Sequence, residues 1–452
     1  MNSPLDGRSR LSRRELEVAA LVAAGLTNRQ IAERLFISER TADGHLEHIR
    51  EKLGVRSRSQ ITAWFVEQSR APAAGVTPVE LSSGSRRRVV LASAIAVMVV
   101  LLASVAFVVD RRVAGSGQPG GPVISTAVGF GKPGPDGGGY SGDGGPATAS
   151  QLRRPLAVAS ARNGSLYFAD SGNRRVRRVD ASGVITTVVG GTQALFTEGA
   201  LATSVDVGPP VAVAASRDGR LYLCTIGGLY RLDRDGSLHG VLAAPPPPGS
   251  FAGLAIGPGD VLFVADRAHH AVLRLASDGS ISTYAGTGEA GFSGDGGAAT
   301  GARLEMPTAL AVDSQGNLFI ADPGNNRVRM VDVATGSIST VAGSGDVYGY
   351  GGDGGPASRA RLSLPNGLAV DAAGNLYIAD SGNNRVREVS RTGRITTIVG
   401  SGSPGAGGDG GAAITAQLFA PEGLAIDSAG NLYIADTGNN RIRKLRLRNG
   451  GG

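Results

Sequence analysis

The chain has 452 residues, too many for one ordinary domain and suited to two or three. Glycine supplies 70 of them, about twice the usual share, yet 41% of the residues are hydrophobic, so the chain can bury a core and is not a disordered tract. One cysteine (Cys224) and five histidines exclude a disulfide framework, a paired-cysteine redox site and a cysteine-rich zinc module, and leave little for a His-rich metal site.

The net charge of +7 is unevenly placed. Residues 1–88 carry 15 basic and 10 acidic side chains, whereas residues 113–452 carry 28 and 27. The basic excess belongs to the first fifth of the chain. There, capping boxes recur. Ser12 with Glu15 opens a predicted helix that Gly25 stops, and Thr27 with Gln30 opens a second. Ser38 opens a longer third helix ended by Gly54, and Ser57 with Gln60 opens a fourth. Apolar residues at 16, 20, 21, at 31, 35, at 46, 49, 53 and at 61, 64, 65 fall at helical spacing. The short turn at Phe36 and Ile37 suits a helix-turn-helix, whose second helix enters the major groove.

The run LSRRELEV followed by GLTNRQIAERLFISERTADGHLEHIREKLGVRSRSQI resembles the LuxR/GerE-type helix-turn-helix domain over residues 11–68. The resemblance implies a DNA-binding domain over residues 1–70. It places Thr27, Asn28 and Arg29 at phosphates beside a helix N-terminus, with Arg40, Thr41, Lys52 and Arg58 adding backbone contacts. Asp43 stands where many family members place a lysine facing base edges, followed by Gly44, with Glu47 one turn on. Two readings stand for these acids: readout of an unusual site through cytosine N4, or a solvated helix face. His45 supports the DNA face, and His48 is read as exposed.

Residues 71–88 form a Pro/Ser/Ala-rich tether, spanning about 20–25 Å if coiled. From Val89 to Val109 run 21 uncharged residues with only Ser93 and Ser104 polar. As a helix they extend about 31 Å, the thickness of a hydrocarbon core. A transmembrane helix is predicted over residues 89–109, with a linker over 110–122. Arg86, Arg87 and Arg88 precede it, and Asp110, Arg111 and Arg112 follow. The positive-inside rule puts the N-terminal side in the cytoplasm.

The remainder is one unit repeated. MPTALAVDSQGNLFIADPGNNRVRMV (306–331), LPNGLAVDAAGNLYIADSGNNRVREV (364–389) and APEGLAIDSAGNLYIADTGNNRIRKL (420–445) are near copies, with weaker ones from 154, 209 and 251. Each holds four short apolar runs separated by Asn/Asp/Gly turns, which predicts four antiparallel strands. Six such units predict a six-bladed β-propeller over residues 123–452. GNLYIADTGNNRIR resembles the NHL repeat. The last unit lacks a fourth strand, and VISTAVGFG (123–131) matches the missing one, so the N-terminal strand is expected to complete the sixth blade.

Between units recur YSGDGG, FSGDGG, YGGDGG and AGGDGG, carrying Asp143, Asp295, Asp353 and Asp409. They lack the alternating ligands of a calcium loop, so they are expected to accept hydrogen bonds from loop amides. Asp322 with Arg327 and Asp380 with Arg385 are expected to pair within their hairpins. These interblade loops share a face with the turns between second and third strands, and that face is predicted to point away from the membrane and carry the binding surface. Asp143, Asp295, Asp353, Asp409, His269 and His270 are its candidate residues. Cys224 with Thr225 is a further departure from the repeat.

The whole suggests a membrane-anchored transcription regulator, ordered like ToxR-like regulators. A cytoplasmic helix-turn-helix would bind double-stranded DNA, as a homodimer on paired half-sites, and an extracytoplasmic propeller would sense a ligand or protein. No cofactor, metal or enzymatic activity is expected. The alternatives are an anchored interaction or adhesion scaffold with a weak or vestigial DNA-binding domain, and a propeller lyase or lactonase, since NHL propellers resemble folds used by such enzymes.

Overall fold

The computed structural model describes residues 121–447, apart from 135–136, 226, 243–249, 277–278 and 346–348, and, nearer the N-terminus, residues 11, 13–23, 26–28, 31, 39–55 and 57–69. The chain divides into two units, Met1–Ser116 and Gly117–Gly452. The tether, the apolar segment 89–109 and most of the linker lie outside the described residues. Among the described residues no helix is long and apolar enough to cross a membrane.

In the first unit, helices α1 (Arg13–Ala23), α2 (Glu39–Leu53) and α3 (Arg58–Ser69) are defined. Most of the predicted second helix lies outside the described residues, but Asn28 and Ile31 are helical, and Ile31 N–H donates to Thr27 O at 2.9 Å. Val18, Ala19, Val22, Ile31, Leu46, Ile49 and Ile61 meet in one core. Of the predicted caps, the Ser57 box forms in both directions: Gln60 N–H donates to Ser57 Oγ (3.3 Å) and Ser57 N–H to Gln60 Oε1 (3.1 Å). Gly54, at φ +67°, ends α2 in a Schellman arrangement. Val55 N–H donates to Arg50 O (3.0 Å) and Gly54 N–H to Glu51 O (3.3 Å). Ser12, Gly25, Gln30 and Ser38 lie outside the described residues.

The second unit is a six-bladed β-propeller, with 24 strands among the described residues. Blades 1 to 5 are formed in chain order by residues 155–189, 210–240, 251–285, 310–342 and 365–399. Blade 6 joins three C-terminal strands, Pro421–Ile426, Asn431–Asp436 and Arg441–Arg446, to the N-terminal Ile124–Val128. Ile124 lies opposite Leu445 and Ser125 opposite Lys444, the closure that the missing fourth strand predicts. First strands of neighbouring blades contact one another all round the ring. The approach is close enough that a Cβ on Gly367 would fall 1.7 Å from Glu422 O.

The core lies between blades rather than within them. Val386 and Val399 of blade 5 pack with Leu424, Ile434 and Leu445 of blade 6, and Ala413, Ala416 and Leu418 of the intervening loop plug the gap. Each fully buried aliphatic side chain contributes about 1.5–3 kcal/mol, so the ring is held by its interblade layers. In most blades a bulge interrupts the pairing of the two outer strands, between Val176 and Arg177, Val328 and Arg329, and Val386 and Arg387.

Candidate nucleic-acid interface and propeller binding face

In the helical unit Thr27 is exposed and Asn28 half-buried, and Arg29 lies outside the described residues. Arg40 and Thr41 belong to the first turn of α2. Asp43, Gly44 and Glu47 are exposed along that helix and His45 is half-buried. Asp43 accepts a hydrogen bond from Asn28 Nδ2, Asn28 Oδ1 accepts one from Arg58 Nη1, and Arg58 Nη2 reaches Leu26 O. The acid at the lysine position therefore joins Asn28 and, through it, Arg58 in one hydrogen-bonded chain. Burial, and then the nearby Arg50, lower the Arg58 pKa, while Asp43 opposes them. Glu47 pairs with Arg50 at 2.7 Å.

Lys52, an expected phosphate contact, also pairs with a buried acid inside the unit. Its Nζ lies 2.8 and 2.7 Å from the two carboxylate oxygens of Glu15, whose side chain is almost wholly buried. Removing that carboxylate from water is costly without a partner, and Lys52 supplies the counter-charge.

On the propeller, the four GDGG aspartates sit in interblade loops, each docked on the blade that follows. Asp143 Oδ2 accepts Thr187 N–H (3.0 Å) and the Tyr140 hydroxyl (2.9 Å), so its amide donor belongs to the outer strand of the blade and not to the loop. Its main partner is an arginine. Arg177, fully buried, reaches Asp143 Oδ1 through Nη2 (2.5 Å) and Nε (3.1 Å). The same guanidinium donates to Gln151 O and Ser141 O and lies 3.7 Å from the buried Asp170. Arg329 bridges Asp295 and Asp322, Arg387 bridges Asp353 and Asp380, and Arg443 bridges Asp409 and Asp436.

The hairpin pairing expected from spacing is displaced by two residues. Asp380 lies opposite Arg385 in backbone register, but its carboxylate is 3.2 Å from Arg387. Arg385 instead donates to Ser401 O (2.7 Å) and stacks 3.8 Å from the centre of the Tyr350 ring. Likewise Asp322, opposite Arg327, ion-pairs with Arg329. One guanidinium faces two carboxylates in each bridge, and their environments separate them. Burial pushes Asp170, Asp380 and Asp436 up to about 6 and Asp322 to about 7, against the hydrogen bonds and arginine that favour the charged form. For Asp143 and Asp353 burial also acts upward, but bonds from Thr187, Arg177 and Tyr140, and from Tyr350, Thr397 and Arg387, outweigh it and hold them below the usual carboxylate range.

The histidines of the third blade take the place of two asparagines. In the other NHL-like turns the first Asn donates to the hairpin aspartate, as Asn383 does to Asp380 (2.8 Å). The second, an Asn at positive φ in blades 4 to 6, accepts an N–H of the next blade, as Asn384 does from Ala420 (2.8 Å). His269 Nδ1 lies 2.9 Å from Asp266 Oδ2, and His270 (φ +51°) accepts Met306 N–H at 3.1 Å. Cys224 is fully buried, and burial raises its thiol pKa well above the ordinary value. Among the described residues no group of three or more His, Cys, Asp or Glu could hold a metal ion.

Spacing did not reveal the buried arginines. The signal was present, because Arg177, Arg329, Arg387 and Arg443 occur in the blades preceded by a GDGG loop. Tyr230 and Leu273 hold the same register position in the two blades that have none.

Two families match the chain: "Bacterial regulatory proteins, luxR family" over residues 9–65 and "SMP-30/Gluconolactonase/LRE-like region" over residues 157–450. Among curated relatives, Teneurin-1 of Mus musculus is 27% identical over 270 residues, 56% of this chain and 8% of that protein. NHL repeat-containing protein 2 of Bos taurus is 28% identical over 314 residues, 66% of this chain and 39% of that one. The chain thus spans less than half the length of either relative. A protein of unknown function from Bacteroides thetaiotaomicron (18% identity, TM-score 0.55) and an auxiliary nutrient binding protein from Bacteroides ovatus (16%, 0.54) share the fold, each over 72% of this chain and 76% of theirs. With a luxR-type helix-turn-helix domain at its N-terminus, the chain belongs, through its propeller, to the SMP-30/gluconolactonase/LRE-like family.

Proposed function

We propose that the chain is a one-pass membrane transcription regulator, with its helix-turn-helix in the cytoplasm binding double-stranded DNA and its propeller outside sensing a ligand or protein. The observation that carries this reading is a luxR-type unit sharing one chain with a propeller, separated from it by 21 uncharged residues at 89–109. Arg86, Arg87 and Arg88 support the cytoplasmic placement of the N-terminal unit. Ligand-biased dimerisation is the route by which one span transmits a signal, because paired half-sites reward dimers. The propeller is read as a binding scaffold and not an enzyme: its recurring polar groups hold blades and loops together. No hydrolysis of gluconolactone above background is expected of it.

A second reading, an anchored adhesion scaffold with a vestigial helix-turn-helix, draws on the exposed Asp43 and Glu47 along α2. Protease treatment of spheroplasts tests the anchored arrangement. The full chain is expected to sediment with membranes, and external protease to remove the propeller while sparing an N-terminal fragment. A soluble chain, or a propeller protected from external protease, would refute it.

A further inference from the structure

Blade 2 departs from the repeat at several linked positions. Tyr230 stands in the register place of the buried arginine, opposite Leu223 as Arg177 is opposite Phe168. Thr225 replaces the hairpin aspartate, and Glu198 falls where the preceding loop would carry Asp143. The hairpin is also shorter: four residues separate Asp170 from Arg175, but two separate Thr225 from Gly228. Where blades 1, 4, 5 and 6 place a charged bridge and a longer turn, blade 2 leaves a cleft of about 530 Å³. That is within the usual range for small-molecule sites, roughly 300–1,000 Å³.

The walls of the cleft are apolar and held in place. Phe196 packs edge-on against Tyr230 with ring centres 4.9 Å apart and planes at 70°. Leu195 is 85% exposed at the rim, although its backbone bridges to Asp206 and Asp206 N–H donates to Ala194 O at 2.7 Å. An aliphatic side chain fixed in water on a wall is what a ligand would cover. Arg174 and Asp206 close one side, with Nη2–Oδ2 at 2.6 Å and Nε–Oδ2 at 3.0 Å. Their presence follows from Pro209, which lies where the next blade normally offers an N–H to Asn: proline has none, so an ion pair replaces that stitch.

We propose that this cleft between blades 1 and 2 is a ligand site for a compact, flat, largely apolar molecule without net charge. The aromatic pair and Leu195 reward burial of a ring. Among the described residues lining the cleft, the charged side chains are Arg174 and Asp206, which pair with each other, so a charged ligand would lose hydration without gaining a free counter-charge. The proposal rests on the reading of the propeller as the sensing half and names the chemistry it would sense.

The test uses the full chain in lipid nanodiscs, empty nanodiscs as reference, and two probes of one shape, neutral 2-naphthol and anionic 2-naphthoate. Binding is followed by saturation-transfer NMR and titration. Wild type is expected to bind 2-naphthol at least tenfold more tightly than 2-naphthoate. Gly227→Leu fills the cleft; a Cβ there meets nothing closer than 3.6 Å, so the fold tolerates it. This variant and Leu195→Ser are each expected to weaken 2-naphthol at least tenfold with unchanged thermal unfolding, whereas Leu201→Ser, an exposed leucine that does not line the cleft, keeps wild-type affinity. No binding above the nanodisc reference, equal affinity for both probes, or binding indifferent to both cleft variants would overturn the proposal. DNA affinity of the same samples is read separately. Binding that leaves it unchanged sinks the sensing role but not the site.

Discussion

Replacing Arg387 by leucine tests whether the buried arginines hold the interblade loops. The substitution removes contacts to Asp353 (2.5 and 3.1 Å) and Asp380 (3.2 Å) and to the carbonyls of Arg361 and Gly351. It leaves Asp380 fully buried without its cation. Breaking a buried pair in this way costs about 3–5 kcal/mol. At about 2 °C per kcal/mol, the propeller transition should fall by about 6–10 °C. The loss depends on pH. Asp380 already has a carboxyl raised to about 6, and without Arg387 it rises further. A raised carboxyl binds more protons folded than unfolded, so its contribution is present below the unfolded pKa and lost as pH rises through the folded one. Arg387→Leu should therefore be milder at pH 5 than at pH 8. Calorimetry of the full chain reads both. Arg385→Leu, which loses a ring stack and a hydrogen bond to a carbonyl, should cost only about 1 kcal/mol. The reasoning fails if the two variants melt alike, or if the Arg387 loss is the same at both pH values.

Other outcomes follow from the same contacts. His270→Asn should keep wild-type stability because asparagine does this task in three other turns, whereas His270→Ala should lose about 1–2 kcal/mol by orphaning Met306 N–H; denaturant melts distinguish them. Asp322, raised to about 7, contributes stability below pH 4 that is lost as pH passes 7. Asp322→Asn should accordingly flatten the fall in melting temperature between pH 5 and 8, and an unchanged slope would refute that assignment. Asp43→Lys frees the Asn28 Nδ2 amide and replaces an acid by a cation, so DNA affinity should rise and the salt slope steepen by about one. Glu15→Gln should release Lys52 from its carboxylate and strengthen DNA binding while lowering stability, as read by salt titration and thermal melts.

Much of this was legible because the repeat is its own alignment. Blade count, strand pattern and the closing strand at 123–131 follow from comparing the chain with itself, and the Ser57 box and Gly54 stop follow from local chemistry. The partners of the hairpin aspartates were less accessible. Backbone register puts Asp380 opposite Arg385, but the interblade loop brings Asp353 over Arg387, and this long-range docking decides which guanidinium is buried. The partner of Lys52 was hidden for a similar reason: Glu15 is 37 residues away, and only the packing of α2 against α1 brings them together. The blade 2 cleft was foreshadowed only by Cys224 and Thr225, because a shortened hairpin reveals its empty volume in three dimensions alone.

Selection of genomic fragments by the full chain in nanodiscs, followed by salt titration of those recovered, tests the central claim most directly. The family resemblance implies phosphate contacts from Arg29, Arg40 and Arg58, and these three set the expected salt dependence. Three neutralised phosphates per domain correspond to a loss of roughly 40-fold in affinity between 50 and 200 mM salt, and a dimer to more. A shared sequence motif with that dependence is the predicted result. Failure to enrich any sequence, together with affinity indifferent to salt, would contradict the regulator and leave the propeller as the working part of the chain.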